Sequence, residues 1–231
     1  MSTVLITGAN RGIGLGFATQ YLSRGWEVIA ACRRPLAATA LHRVSEQHPS
    51  RLTLLAMDVE DEASIAAAHK AVEEQTLILD VLINNAGVLH PSTSVWDVTP
   101  EALRSSLAVN TIGPFLVGNQ FADLLLAGGK LVQITMPTPS VTRWVGASNH
   151  AYAASRYALN ILTKMQAMEL AERGVITVGL YPGFLQTDMN QHSVDATPVA
   201  EGVPLAVKVI DGLAVDDTGK CFLPDGSTYE W

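Results

Sequence analysis

A short apolar run, Val4-Leu5-Ile6-Thr7, breaks into Gly8-Ala9-Asn10-Arg11-Gly12-Ile13-Gly14, and a helical pattern begins at once. Few chain architectures tolerate three glycines packed between a strand and a helix. Glycine permits the tight turn and lets a ligand approach the backbone closely, while the first turn of the helix presents N–H groups that have no intrahelical acceptor. Those groups and the helix dipole favour an anion, so this arrangement predicts a cradle for the pyrophosphate of a dinucleotide at Gly8, Asn10, Arg11, Gly12, Ile13 and Gly14. Three glycines in isolation would mean only a tight turn; their place between the first strand and the first helix carries the prediction.

The alternation continues along the chain. Strands are expected at 4–7, 26–31, 52–57, 81–83, 130–135, 175–181 and 219–223, and helices at 13–24, 36–48, from about 61, at 100–127 and at 151–173. Strands that are apolar on both faces and separated by helices imply a parallel sheet covered on each side. Right-handed crossovers then make it an α/β, doubly wound parallel sheet, a three-layer Rossmann fold. The segment 183–204 shows little periodicity and is read as a substrate loop. No repeat or linker divides the 231 residues, so a single domain, 1–231, is expected.

With 48% hydrophobic and 16% charged residues, the chain has the makings of a packed globule. A formal charge of −7 offers no basic face to nucleic acid. Two cysteines, Cys32 and Cys221, make neither a disulfide framework nor a zinc pattern, and no metal is expected. No apolar stretch approaches the ~20 residues of a membrane span, and the amino terminus lacks the basic flank and long apolar core of a signal peptide, so no membrane partner and a cytoplasmic location are expected.

The spacing Gly-x-x-x-Gly-x-Gly after Thr7 resembles the short-chain dehydrogenase/reductase family, and further matches follow in the family's order. Asp58-Val59 closes the third strand, Asn84-Asn85-Ala86-Gly87 matches the Asn-Asn-Ala-Gly turn, and Asn110 lies in a long helix. Tyr152 opens the next helix, and Tyr181-Pro182-Gly183 with Thr187 matches the Pro-Gly and Thr elements. The ending, Thr218-Gly219-Lys220-Cys221-Phe222 to Trp231, is similar to small carbonyl reductases of the C-signal and sniffer type. The resemblance implies a nicotinamide coenzyme, with Asp58 and Val59 at its adenine and Asn85, Ala86, Gly87, Pro182, Gly183 and Thr187 along the rest of it. It also implies a homodimer or homotetramer. Apolar residues beyond the core-facing stripe of the helices at 100–127 and 151–173, such as Leu159, Leu162, Met165 and Met168, agree with that.

Coenzyme choice is read after the second strand, where NAD users place a carboxylate on the ribose diol. Here Cys32 stands at that position and Arg33 follows it. Together with Arg11, Arg33 would clamp a 2′-phosphate, so NADP(H) is expected. The plainer alternative is two solvated surface arginines.

Relatives carry a cooperating Asn, Ser, Tyr and Lys. The tyrosine moves a proton as hydride moves, the serine helps hold the developing oxyanion, the lysine binds the nicotinamide ribose beside the tyrosine, and the asparagine carries a water link. In this chain Tyr-x-x-x-Lys reads Tyr152-Ala153-Ala154-Ser155-Arg156, and the strand that should end in Ile-Ser-Ser reads Ile134-Thr135-Met136. Arginine keeps the charge but not ammonium geometry. A thioether donates no hydrogen bond, and one lost oxyanion donor costs ~3–4 kcal/mol. Thr135, Thr138 or Ser140 could stand in for the serine.

Three readings follow for a small, fairly apolar substrate. The first is a reductase using Tyr152, Arg156 and Asn110 with a displaced hydroxyl. In the second, the reductase acts on an imine or activated alkene that forms little oxyanion. The third is a site with no net redox change (a cyclisation, dehydration or isomerisation) or a binding protein without turnover. Met136, Thr138, Trp144, Phe184 and Met189 are the candidate pocket residues. His90 and His150 are weighed against ordinary loop roles, and His42, His48 and His69 are expected to be solvated.

Overall fold

A computed structural model describes residues 2–75, 78–137 and 148–230. Thr138, Ser140 and Trp144 therefore lie outside the described residues. The first half alternates regularly: β1 (Thr3–Thr7), α1 (Gly12–Ser23), β2 (Glu27–Cys32), α2 (Thr39–Gln47), β3 (Leu52–Ala56), α3 (Glu62–Glu73) and β4 (Leu79–Asn84). Then come α4 (Pro100–Leu107), a π turn (Ala108–Ile112), α5 (Gly113–Gln120), β5 (Leu125–Ile134), α6 (His150–Ala171) and β6 (Ile176–Leu180). The chain finishes with α7 (Val199–Gly212), β7 (Cys221–Phe222) and β8 (Thr228–Tyr229).

The strands lie in the order β3-β2-β1-β4-β5-β6-β7-β8, parallel except for β8, which pairs antiparallel with β7. Strand order reverses between β1 and β4, and ligands of open α/β sheets sit outside the carboxyl ends at such a switch. One face of the sheet packs Val4, Ile6, Val28 and Ala30 against Phe17 and Tyr21 of α1 and Val203 and Ile210 of α7. The other packs Leu5, Leu82 and Leu131 against Ile65 of α3, Val117 of α5 and Phe121 just after it. Among the described residues no helix is long and apolar enough to cross a membrane, and no cluster of acidic, histidine and cysteine side chains could hold a metal.

Three expectations need correction. The helix read over 100–127 is broken by the π turn and stops at Gln120; Leu124 and Leu125 are buried, and Leu125 already pairs with Leu79 of β4. Their burial in the core outweighs helix propensity. The loop read over 183–204 ends at Pro198, because Val199, Val203, Val207 and Ile210 recur at helical spacing and α7 packs on α1 at Gly16, where a Cβ would stand 2.6 Å from Val199. Pro204, a residue that usually breaks helices, lies inside α7 and masks the pattern. His69 is buried rather than solvated; its Nε2 lies 2.9 Å from Asp123 and its ring packs edge-on against Phe121.

Candidate active site

One cavity of about 650 Å³ opens at the carboxyl ends of the strands. Its wall includes Gly8, Asn10, Arg11, Gly12 and Ile13 from the glycine turn, and Cys32 and Arg33 from the end of β2. Asp58 and Val59 come from the end of β3, and Asn85, Ala86 and Gly87 from the end of β4. Met136, Tyr152, Arg156, Tyr181, Pro182, Gly183, Phe184, Thr187 and Met189 complete it. Residues from sequence positions 8 to 189 thus meet in one space.

The glycine turn is shaped by sterics. Gly8 has φ +65°, and a Cβ there would stand 2.8 Å from the Ala86 Cα. A Cβ on Gly14 would strike the Gly8 carbonyl. Thr7 stitches the two switch-point strands together, its Oγ1 accepting from the Asn85 and Ala86 N–H groups at 2.9 and 3.0 Å. The Asn85 amide donates to the Thr7 carbonyl at 3.0 Å. Among the described residues no side chain caps the amino terminus of α1, and no acidic residue lies in its first turn, so its amides and positive dipole end remain available to an anion.

Both predicted clamp arginines stand on the wall. Arg33 is 64% exposed, and its nearest carboxylate is Glu60 at 3.9 Å. Arg11 bonds Asp188 at 2.7 Å, bridging the glycine turn to the loop after β6. Asp188 also lies 2.9 Å from His192 Nε2; Arg11 first and His192 second hold its carboxyl below the usual range.

At the reactive end, Arg156 is 3% exposed and its guanidinium carbon lies 5.0 Å from the Tyr152 ring centroid. Its Nη1 donates to the Ile134 carbonyl at 3.1 Å, and Nη2 occupies the space beside Gly87, where a Cβ would come within 2.7 Å. Among the described residues Nε has no partner and no carboxylate pairs with the charge. Asn110, in the π turn, is fully buried. Its Oδ1 accepts from Val88 N–H at 2.8 Å, and its Nδ2 donates to the Val88 carbonyl and to Ser155 Oγ at 2.9 and 3.0 Å. The asparagine side chain thus fixes the segment that follows the Asn-Asn-Ala-Gly turn against α6.

Met136, which the sequence pattern puts where the family's serine is expected, lines the cavity, and its carbonyl accepts from the Tyr229 hydroxyl at 3.0 Å. Thr135 donates its hydroxyl to Asn160 Oδ1 at 2.6 Å and is buried. His150 bonds Ser92 Oγ through Nδ1 at 3.0 Å, and neither it nor His90 belongs to the described cavity wall. The sequence reading passed over Asn149 and Ser148, which line the cavity just before α6; Asn149 sits at φ +61°, and its N–H donates to the Ser92 carbonyl at 2.7 Å. Nothing in their local pattern marked them, because a distant partner, Ser92, sets their geometry.

A family model described as short chain dehydrogenase matches residues 2–198. The chain is 29% identical to an NADPH-dependent pterin aldehyde reductase of Arabidopsis thaliana, over 94% of this chain and 91% of that protein. A crystal structure of NADPH-bound carbonyl reductase from chicken fatty liver superposes with a TM-score of 0.92 at 32% identity, covering 100% of this chain and 99% of that one. The carbonyl reductase Sniffer of D. melanogaster gives 0.92 at 26% identity with full coverage of both. A glycine turn joined to an Asn-Asn-Ala-Gly turn, a tyrosine helix over the same cavity, and likeness along the whole chain make this protein a member of the short-chain dehydrogenase/reductase family.

Proposed function

We propose that the protein is an NADPH-dependent reductase of small, fairly apolar carbonyl, imine or activated-alkene compounds. The observation that carries this reading is Arg156: a buried guanidinium without a carboxylate partner among the described residues, stacked on the Tyr152 ring in the cavity that holds the glycine turn. An unpaired buried cation is costly, and an anionic dinucleotide with ribose hydroxyls supplies both charge and acceptors. The cradle fits that group, since Gly8, Asn10, Gly12 and Ile13 line the cavity and, among the described residues, no side chain caps the head of α1. Gly8, Gly12, Gly14 and Asn10 would take the diphosphate, Arg11 and Arg33 the 2′-phosphate, and Asp58 and Val59 the adenine. Asn85 to Gly87, Tyr152, Arg156, Pro182, Gly183 and Thr187 would hold the nicotinamide half. The likeness to the NADPH-dependent pterin aldehyde reductase and to the NADPH-bound chicken enzyme supports NADPH.

When bound, NADPH supplies a hydride. Tyr152 holds the proton at Oη and gives it to the substrate heteroatom. The fixed charge of Arg156 offsets the negative charge left on the phenol, and it acts strongly because burial removes solvent screening. Asn110 holds the backbone at Val88 and the helix at Ser155, which sets the distance across the pocket. Met136, Phe184 and Met189 give an apolar mouth that favours an apolar substrate and excludes water. Ile112, Ile161, Met165 and Met168 are large exposed apolar side chains on or beside α5 and α6, and they support a homo-oligomer.

The test is titration with NADPH and NADH, followed by a panel of ketones, enones and imines while the absorbance of the reduced coenzyme is recorded. NADPH binding with oxidation on at least one class is expected, and Tyr152→Phe should slow it by about 10²–10⁴-fold. Tight NADPH binding with no oxidation on any class would overturn the reductase and favour chemistry without net redox change.

A further inference from the structure

Among the described residues, the site as set out so far lacks a second donor for the substrate oxygen. Thr135 spends its hydroxyl on Asn160, Tyr229 spends its own on the Met136 carbonyl, and Ser148 is exposed at the rim, four residues before Tyr152. One further hydroxyl on the cavity wall has no hydrogen bond among the described residues: Tyr181.

Its place in the sheet explains why it stands where it does. Ile134 of β5 and Leu180 of β6 are register partners, so Tyr181 follows beside Thr135, one residue before Met136. The Tyr181 N–H donates to the Phe222 carbonyl at 2.9 Å, which fixes the backbone, and Pro182 with Gly183 (φ +98°) turns the chain away immediately after it. The side chain is half-buried on the same wall as Tyr152. We propose that the Tyr181 phenol donates to the substrate's developing oxyanion the hydrogen bond that Met136 cannot, so that two phenols share the reacting atom. This deepens the reductase reading and rests on it.

The chemistry balances without a new reagent. The carbonyl carbon gains hydride from the reduced nicotinamide, which is thereby oxidised; the π pair moves to oxygen; and Tyr152 Oη gives that oxygen its proton. Tyr181 keeps its proton and only donates a hydrogen bond. A donor must stay protonated, and burial first, with Tyr152 adding to it, pushes the Tyr181 phenol above the usual range. A phenol reaches further than a serine hydroxyl, so this donor serves from the strand next to the usual one.

Tyr181→Phe keeps the ring and removes the donor. Ketone reduction should then slow by about 10²-fold or more, as for the loss of one oxyanion donor, while NADPH affinity changes by less than about threefold. Adding Met136→Ser to Tyr181→Phe should restore at least about tenfold, whereas Met136→Ser in the native protein should gain little. Independently of turnover, the coenzyme-free and NADP⁺-loaded proteins are titrated with 4-nitrophenolate, whose visible band moves when its oxyanion accepts hydrogen bonds. The native protein should shift the band, and Tyr181→Phe should bind the probe at least about tenfold more weakly with a smaller shift. Native rates and probe affinity in Tyr181→Phe would overturn the proposal. If the native protein reduced no carbonyl, the reductase reading would fall, and the probe would still decide: a shift lost in Tyr181→Phe supports the donor, and no shift in the native protein overturns it.

Discussion

Arg33 offers a direct measurement of how the protein distinguishes its coenzyme. It follows the last residue of β2, lines the cavity and is 64% exposed, with Glu60 3.9 Å away. A charge-assisted hydrogen bond to a phosphate is worth ~1.5–3 kcal/mol, and this exposure places Arg33 at the lower end, ~1.5–2 kcal/mol. At 1.4 kcal/mol per factor of ten, Arg33→Ala should raise the NADPH dissociation constant about 10–30-fold and leave NADH within about threefold. The effect should shrink as salt approaches ~1 M, where the Debye length falls to ~3 Å. Its exposed contact with Glu60 is worth at most ~1 kcal/mol, so the coenzyme-free melting temperature should move by no more than ~2–4 °C. Isothermal titration with both coenzymes at two salt concentrations is the assay. Equal weakening of both coenzymes, or unchanged NADPH affinity, would refute the 2′-phosphate role. Arg11→Ala is a less clean probe, because it also frees Asp188 from its 2.7 Å bond.

Gly8→Ala forces a side chain into φ +65° at ~1–2 kcal/mol and drives its Cβ to 2.8 Å from the Ala86 Cα, a backbone atom that cannot step aside. A combined cost of ~2–4 kcal/mol should lower the melting temperature by ~4–16 °C by calorimetry and weaken NADPH by more than about tenfold; an unchanged protein would show that the turn is looser than described. Burial pushes the Cys221 thiol up to about 12 and also raises Cys32. Both should label slowly with iodoacetamide at neutral pH, Cys32 first because it lines the cavity, and NADPH should protect Cys32 alone by peptide mass mapping. Faster labelling of Cys221 would contradict its placement between Gly179 and Tyr229.

The parallel part of the fold is legible in the sequence because β1 to β4, β6 and the second half of β5 are short, largely apolar runs set between helical patterns. The glycine turn, the Asn-Asn-Ala-Gly turn and Tyr152 with Arg156 were legible for the same reason: each is a local pattern whose chemistry depends on neighbours in sequence. What escaped depends on distant partners. The end of α5 is set by the burial of Leu124 and Leu125 beside Leu79, and α7 by packing on Gly16 despite Pro204. The two-residue β8 exists only because β7 lies beside it. His69 looked like a solvated helix residue until Asp123 and Phe121 were placed next to it. Tyr181 is visible in the sequence as part of a Pro-Gly motif, but its place beside Thr135, one residue before Met136, emerges only from the register of β5 with β6.

The two departures from the usual catalytic set lie on one seam, between the end of β5 and α6. Arg156 reaches past the tyrosine ring and bonds the carbonyl of Ile134, two residues before Met136, whose own carbonyl is held by Tyr229. The longer side chain therefore braces the strand end from which the serine hydroxyl is missing, while its charge still faces Tyr152. A lysine has one nitrogen to spend; the guanidinium spends Nη1 on the strand and retains other donors. Burying that charge without a carboxylate costs several kcal/mol unless a ligand compensates it. A pocket that had abandoned its anionic coenzyme would be more stable with an apolar residue at 156, so the buried arginine argues that the site is organised around a bound dinucleotide. On the same reasoning, Arg156→Met should raise the melting temperature of the coenzyme-free protein while shrinking the further rise that saturating NADPH produces, both read by calorimetry.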